Sequence, residues 1–220
     1  MTTQITVDIF ADIICPWCFI GKTRLDQAFA RRPDIMPIYR WRSFLLNPSM
    51  PPEGMSRQAY LTAKFGHAAS AVYGRIAMAG LDAGIDFQFS KIQRTPDTRP
   101  IHQLLLAAGP DSEALANGFY QAYFLDGRDI GKSEVQDELL EACGLSRAGL
   151  AEQLTSAEAQ MEIDLQDCHT LGIEGVPMMI FNDSLSLAGA YPPDILLNVI
   201  DTADIPSPDR LLPPWFSGLS

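Results

Sequence analysis

Two cysteines separated by two residues, in the segment Cys15-Pro16-Trp17-Cys18, are the side chains best suited to covalent chemistry in this chain. They lie where a predicted strand ends and a predicted helix begins. The free N–H groups and the dipole of a helix N-terminus stabilise a thiolate, which is the nucleophilic form of cysteine. The spacing lets Cys18 resolve a mixed disulfide formed on Cys15, and Pro16 fits a first helical turn. The pattern predicts thiol–disulfide chemistry.

Two other interpretations of the cysteine pair compete with this one. A CxxC pair is half of a zinc site, but Cys143 stands alone and Cys168 is directly followed by His169, so a second ligand pair at zinc spacing is missing. We therefore expect no metal. Two cysteines that only fill a core are the other alternative, but an intervening proline at a strand-to-helix junction is not typical of core residues.

The elements that must position the pair follow from hydrophobic periodicity. A strand at 5–10, a helix at 16–31 and a strand at 36–46 form a βαβ unit, with the cysteines at the edge where open α/β sheets have their sites. Six helices are predicted next, at 56–65, 68–83, 98–108, 112–125, 134–143 and 157–171, the last with a capping box at Thr155. The chain then returns to strands at 175–181 and 184–188, joined by an Asn182-Asp183 turn, and a helix at 193–202.

The composition of the 220-residue chain limits its partners and its compartment. The net charge is −11 with scattered acidic residues, which argues against nucleic acid and anionic membranes. No apolar run approaches the roughly 18 residues that a transmembrane helix needs. No signal-peptide pattern precedes Thr6. We therefore expect a protein of the reducing cytoplasm, where a CxxC pair is more often catalytic than structural.

The order of elements resembles the DsbA-like branch of the thioredoxin fold, and most closely its FrnE-like group. The segments that carry the resemblance are Asp12-Ile13-Ile14-Cys15-Pro16-Trp17-Cys18-Phe19-Ile20-Gly21-Lys22, Phe44-Leu45-Leu46-Asn47-Pro48, Met50-Pro51-Pro52-Glu53-Gly54, Ala122-Tyr123-Phe124 with Gly127 and Asp129-Ile130, and Gly175-Val176-Pro177. The resemblance implies an α/β thioredoxin fold with a large all-helical insertion. It divides the chain into a discontinuous thioredoxin-like domain of residues 1–54 and 172–220 and a helical insertion domain of residues 55–171.

The same resemblance implies a protein thiol–disulfide oxidoreductase of the reductase or isomerase type. Cys15 is then the nucleophile and Cys18 the resolving thiol, and the expected partners are disulfide-containing proteins or small thiols. The Val176-Pro177 bond is expected to be cis, which places Pro177 beside the sulfurs and leaves the backbone of Val176 free to pair with substrate. No cofactor is implied beyond the redox-active Cys15–Cys18 disulfide, with glutathione as a candidate co-substrate.

The chain departs from the family pattern near this site. Pro16 and Trp17 belong to the expected substrate-contacting set, but the DsbA motif usually has His where Trp17 stands. Because Trp brings no positive charge, we expect a less strongly oxidising couple than that of DsbA. Met178-Met179 favour a core position, and Tyr191 is a candidate for altering the substrate surface.

Other reactive side chains are expected to have structural roles. His67, His102 and His169 are predicted to be surface or helix-capping residues, and Cys143 a small buried one. Cys168-His169 could form an activated thiol, although adjacent helical residues point about 100° apart. Asp12 is either a buried carboxylate that moves protons for the thiols or a solvated strand end. Lys22 is predicted to point to water.

Two further functions stay open. The chain also resembles kappa-class glutathione transferases and 2-hydroxychromene-2-carboxylate isomerases, which implies a glutathione-dependent isomerase or transferase of small aromatic metabolites. Those relatives typically have Ser where this chain has Cys15, so the cysteine pair disfavours this function. The third is a binding or chaperone module that uses the cleft between helices and sheet. The oligomeric state is not determined, and a homodimer is one option.

Overall fold

The computed structural model of the chain describes residues 3–204. Its strands are β1 (Thr3–Ala11), β2 (Ile35–Ser43), β3 (Met55–Ser56), β4 (Arg94–Thr95), β5 (Met178–Phe181) and β6 (Leu185–Ala188). Its helices are α1 (Pro16–Phe29), α2 (Arg57–Phe65), α3 (Ala69–Asp82), α4 (Arg99–Ala108), α5 (Ser112–Phe124), α6 (Ser133–Ala142), α7 (Ala151–Thr170) and α8 (Pro193–Asp204). The predicted thioredoxin-like domain extends to residue 220, so its last sixteen residues lie outside this description.

A mixed four-stranded sheet in the order β2-β1-β5-β6 is the centre of the fold. β1 runs parallel to β2 and antiparallel to β5, and β6 pairs antiparallel with β5. The hairpin between β5 and β6 turns at Asn182 and Asp183, which both have left-handed φ angles, of 47° and 54°. Asn and Asp tolerate this conformation, and so the turn lies where the sequence predicts it. The predicted α/β thioredoxin fold with a helical insertion is confirmed.

Strand β1 is central because its side chains are buried on both faces of the sheet. Ile5, Val7 and Ile9 belong to the main hydrophobic core, whereas Phe10 belongs to a second cluster that contains Cys168 of α7. The strand β1 therefore ends with its backbone fixed between two packed layers. The loop that follows it carries the cysteine pair.

The helical block packs directly on the helix that carries the cysteines. Phe19 of α1 stacks on Tyr120 of α5, with ring centroids 5.0 Å apart and planes 6° apart. Both rings belong to the same core as β1. A single core thus joins the sheet to the insertion, and the division at residues 54 and 172 stays a prediction.

The start of α7 is the largest error of the secondary-structure prediction. The helix begins at Ala151, not at residue 157, and the hydroxyl of Thr155 donates to the carbonyl of Ala151 inside it, at 3.0 Å, so Thr155 is not a cap. The helix extends back because Leu150 and Leu154 pack on the hydrophobic core. Tertiary contacts here override the local capping signal.

Within residues 3–204, no helix combines the length and the apolar composition required to cross a lipid bilayer.

Candidate active site

The cysteine pair occupies the junction between β1 and α1. Cys15 is the N-cap residue of α1, with extended backbone angles, and Pro16 is the first helical residue. The N–H of Cys15 donates to the carbonyl of Asp12 at 3.0 Å, and the carbonyl of Cys15 accepts from the N–H of Cys18 at 3.1 Å. Both thiols are free. The sulfur of Cys15 therefore lies at a helix N-terminus, where the dipole and the free N–H groups favour negative charge.

The Val176–Pro177 peptide bond faces the pair and is cis, as expected from the resemblance. The Cys15 thiol donates to the carbonyl of Val176, with Sγ and O 3.7 Å apart, and the pairing of this backbone with substrate stays a prediction. Pro177 packs on α1 at Gly21, where an added Cβ would lie 2.8 Å from the Cγ of Pro177. Glycine at position 21 is what lets the proline approach the cysteine helix.

A cavity of about 220 Å³ opens beside the nucleophile candidate. Its walls include Cys15, Pro16, Trp17 and Val176, so four of the predicted site residues meet around one space. Cys15 itself is only 4% exposed, and Trp17 is 38% exposed at the border of the cavity. The cavity is lined by Cys15 but not by Cys18. A substrate sulfur in this cavity would meet Cys15 first.

Cys18 is buried beneath Cys15. Burial raises the pKa of the Cys18 thiol well above its usual value, and the neighbouring Cys15 sulfur and the charge of Asp12 raise it further. Cys18 therefore keeps its proton until it reacts. A resolving thiol of this kind needs a nearby group that accepts the proton.

Asp12 is the carboxylate whose charge acts on Cys18, and it is fully buried, so of the two predicted positions the buried one is confirmed. Its Oδ2 accepts from the N–H of Leu46 at 2.8 Å and its Oδ1 from the N–H of Ile14 at 3.3 Å. Oδ1 also lies 3.6 Å from Nε2 of His102, a side chain of α4 that is likewise fully buried. The structure thus places an imidazole from the helical block against the carboxylate below the thiols.

The prediction that His102 is a surface or capping residue is wrong. Neither of its ring nitrogens has a hydrogen-bond partner within residues 3–204. The sequence carried a signal for its burial, since His102 precedes the buried Leu105 by three residues and so lies on the apolar face of α4. The contact with Asp12 could not be found in this way, because it joins residues that are 90 positions apart.

Tyr120 completes the buried polar group beneath the cysteines. Its hydroxyl also lacks a hydrogen-bond partner in the described part of the chain. Burial raises the pKa of Tyr120 well above its usual value, and the charges of Cys18, Cys15 and Asp12 raise it further. The group formed by Asp12, His102 and Tyr120 is called the buried polar cluster below. Buried polar atoms without partners are uncommon in folded proteins, and they occur here next to the reactive thiols.

Lys22 was predicted to point to water, and this prediction is wrong. Its side chain is 3% exposed and lies over the ring of Tyr39, 4.2 Å from the centroid. The ammonium pairs with Asp26 at 2.6 Å and with Glu113 of α5 at 2.7 Å. Lys22 therefore ties α1 to the helical block.

The other candidates divide into exposed and structural residues. His67 and His169 are exposed. Cys143 is half-buried at the end of α6, not fully buried as predicted. Cys168 is buried, and desolvation followed by the charge of Asp164 raises its pKa to about 11, which excludes an activated thiol.

Met178-Met179 are buried, as the sequence favours, and Tyr191 is exposed. In residues 3–204, no group of three or more His, Cys, Asp or Glu side chains is arranged to hold a metal ion.

A sheet in the order β2-β1-β5-β6, with a CxxC pair at the start of its first helix and opposite a cis proline, defines a thioredoxin-fold protein. The chain belongs to the DSBA-like thioredoxin domain family, whose model matches residues 6–201. A comparison with curated protein sequences gives no match.

Solved structures of similar fold agree with this family. A probable DsbA oxidoreductase from Streptomyces coelicolor has 26% sequence identity and a TM-score of 0.80, over 96% of this chain and 94% of that chain. The cytosolic disulfide reductase DsbM from Pseudomonas aeruginosa has 20% identity and a TM-score of 0.58, over 90% and 97% of the two chains. A 2-hydroxychromene-2-carboxylate isomerase has 14% identity and a TM-score of 0.58, over 89% and 93%. At these identities, the last two similarities concern the fold.

Proposed function

We propose that the protein is a thiol–disulfide oxidoreductase of the reductase or isomerase type, which acts on disulfide-containing proteins or small disulfides. One observation carries the proposal. Cys15 caps α1 and lines a cavity beside the cis proline, while Cys18 is buried behind it. This arrangement separates a thiol that substrate can reach from a thiol that only Cys15 can reach.

The reaction starts when the thiolate of Cys15 attacks one sulfur of the substrate disulfide. A bond forms between Cys15 and that sulfur, the substrate disulfide breaks, and the leaving thiolate takes a proton from water. Cys18 then loses its proton and attacks the sulfur of Cys15. The Cys15–Cys18 disulfide forms, the second substrate thiol leaves, and the protein has given two electrons to the substrate.

The second attack depends on the proton of Cys18. Because burial raises the pKa of Cys18, its deprotonation is helped by a base close to it. Asp12 and His102, whose Oδ1 and Nε2 atoms lie 3.6 Å apart in a fully buried position, are the groups able to take the proton. We assign them to this role, with His102 acting through Asp12 as a positioning residue.

A reducing compartment fits this chemistry. The dithiol is the form in which the protein can reduce or isomerise disulfides, and a cytosolic thiol pool would regenerate it. The neighbouring structures include a cytosolic disulfide reductase, which has also been solved with GSH. These similarities support a cytoplasmic location and glutathione as the regenerating thiol.

The reduction potential of the Cys15/Cys18 pair tests the proposal. The protein would be equilibrated with glutathione buffers of defined ratio, its free thiols trapped with an alkylating agent, and the products counted by intact mass. A two-electron couple between about −270 mV, the thioredoxin value, and about −120 mV, the DsbA value, is expected. A Cys18→Ser variant should accumulate a mixed disulfide on Cys15. Failure of the pair to oxidise in every buffer would contradict the proposal.

The alternative is a glutathione-dependent isomerase or transferase that acts on small aromatic molecules. The apolar cavity beside Cys15 is the observation that favours it, because such a space would take an aromatic ring. A Cys15→Ser/Cys18→Ser double variant separates the two functions. An isomerase should retain most of its glutathione-dependent turnover, whereas a disulfide exchanger should lose all activity.

A further inference from the structure

One charged side chain faces the cavity beside Cys15. Among the described residues that line this cavity, Lys64 of α2 is the only one with a formal charge. A second cavity of about 260 Å³ adjoins the first, because Leu46, Tyr60 and Lys64 line both, and Lys64 is again its only charged wall residue within the described chain. The two spaces together form a cleft that begins at the nucleophile and passes a single ammonium group.

Lys64 has no anionic partner inside the described chain. Its Nζ donates to the hydroxyl of Tyr60 at 3.1 Å and lies 5.5 Å from the centroid of that ring and 5.9 Å from that of Phe65. Burial lowers the pKa of Lys64, and the charges of Cys15 and Asp12 act in the opposite direction. The residue as a whole is exposed, so an anion that enters the cleft can reach its ammonium group from solvent.

A second cation without a carboxylate partner in the described chain contacts Tyr73, a residue that lines the cavity. Arg57 is buried on the same helix as Lys64, and its guanidinium bonds to the hydroxyls of Tyr73, Thr95 and Tyr123 but to no carboxylate in residues 3–204. Tyr60 and Tyr73 line the cavity, and the positive charge of Arg57 acts to lower the pKa of both hydroxyls. The chain as a whole carries a net charge of −11, so a positive wall at the nucleophile is a local departure from its overall charge.

Most of the remaining side chains that line the cleft are apolar, with Asn47 and Tyr73 as polar exceptions. Ile14, Phe65, Val72 and Ile76 line the space next to Cys15, and Leu46 and Met55 line its extension. An apolar body is therefore needed close to the reacting sulfur, together with an anionic group that reaches Lys64. The hydroxyl of Tyr60 offers a second donor, since its pKa is raised to about 12 and it stays protonated at neutral pH.

We propose that this cleft selects low-molecular-mass disulfides that carry a carboxylate on an apolar body, and that Lys64 is the residue which contacts the carboxylate. The inference rests on the proposed disulfide chemistry of Cys15. In the step concerned, Cys15 forms a bond to the substrate sulfur, the substrate disulfide breaks, and a carboxylate-bearing thiolate leaves. Lys64 holds the carboxylate but gives up no proton and no electron.

Two aromatic disulfides, one anionic and one uncharged, test the proposal. One is 5,5′-dithiobis(2-nitrobenzoate), which has a carboxylate on each ring, and the other is 4,4′-dithiodipyridine, which is uncharged at neutral pH. The reduced protein would be mixed with each probe at low salt in a stopped-flow instrument, and the release of the first coloured thiol recorded. The variants are Lys64→Gln, Lys64→Arg, and Lys132→Gln as the control, because Lys132 is exposed and its loss changes the net charge equally.

Lys64→Gln should reduce the second-order rate constant for the anionic probe about fivefold to tenfold and change that for the neutral probe less than twofold. This corresponds to about 1 to 1.4 kcal/mol in favour of the carboxylate. Lys64→Arg should restore most of the rate, Lys132→Gln should resemble the wild type, and added salt should diminish the selectivity.

An equal loss with both probes, or no loss with either, would overturn the role of Lys64 and leave the redox function intact. A wild-type protein that reduces neither probe would overturn the proposed function itself, and this inference with it.

Discussion

Two buried thiol sites of this protein, at Cys15/Cys18 and at Cys168, differ in the helix end that they occupy. Cys15 caps the N-terminus of α1, whereas Cys168 lies in the last turn of α7. The helix dipole favours a thiolate at the first position and opposes it at the second. Burial raises the pKa of Cys168, and the charges of Asp164 and Asp167 raise it further.

The polar groups around the two sites also differ. Near Cys168, Asp164 accepts from the backbone N–H of Ser43 at 2.8 Å and pairs with Arg42, and the thiol donates to the carbonyl of Ser43 at 3.7 Å. Beneath Cys18, the ring nitrogens of His102 and the hydroxyl of Tyr120 have no partner in the described chain. The Nε of Arg42 and the hydroxyl of Ser43, near Cys168, also lack a hydrogen-bond partner in the described chain. The two sites therefore differ in the kind of unpaired group, because among these groups only the imidazole of His102 is suited to take up and release a proton. Burial alone therefore does not define a redox thiol.

The largest effect on activity is expected when the cysteines of the two sites are replaced one at a time. Cys15→Ser should abolish disulfide reduction, because the attacking sulfur is lost. Cys168→Ser should leave the rate within about twofold, since Cys168 does not line the cavity and has a raised pKa. Turnover with a chromogenic disulfide measures both variants. A Cys168→Ser variant without activity but with native circular dichroism would contradict the distinction.

A smaller effect is expected in the buried polar cluster. His102→Asn should slow release of the second substrate thiol about tenfold, less than the roughly hundredfold or more of a direct general base because His102 acts through Asp12, and should shift the pH dependence of that step. Release of the first thiol, which Cys15 alone performs, should not change.

Tyr120→Phe is the matched control for this variant. It removes a buried hydroxyl without a partner and should leave the pH profile of the second release in place. Stopped-flow records of the two release phases over a pH series provide the measurement. If His102→Asn slowed both phases equally, His102 would have a structural role only.

The smallest functional effect is expected from modification of Cys168. With a pKa of about 11, only about one molecule in a thousand carries its thiolate at pH 8, so alkylation of the folded protein should be slow. Its rate should rise about tenfold for each pH unit up to about pH 11. Peptide mass spectrometry of folded and denatured samples measures this. Rapid alkylation of folded Cys168 at pH 8 would remove the contrast with the active pair.

Local signals were sufficient for the elements that surround the cysteine pair. The alternating strand, the proline in the first turn of α1 and the Asn-Asp hairpin are set by residues within a few positions of each other. Each was therefore predicted close to its observed bounds. The expected cis bond at Val176–Pro177 came from the resemblance, because the residues around a proline do not determine its isomer.

The sequence by itself determined that this chain has a thioredoxin fold, where its reactive thiols lie along the chain and which helix begins at them. Only the tertiary structure shows that His102 lies against Asp12 and that Lys22 is buried in an ion pair. It also shows that Lys64 lines the cavity beside Cys15. The physical reason is the distance along the chain over which local sequence patterns carry information. Periodicity and capping report on neighbours within one or two helical turns, whereas burial and charge at a site depend on which distant helix packs against it.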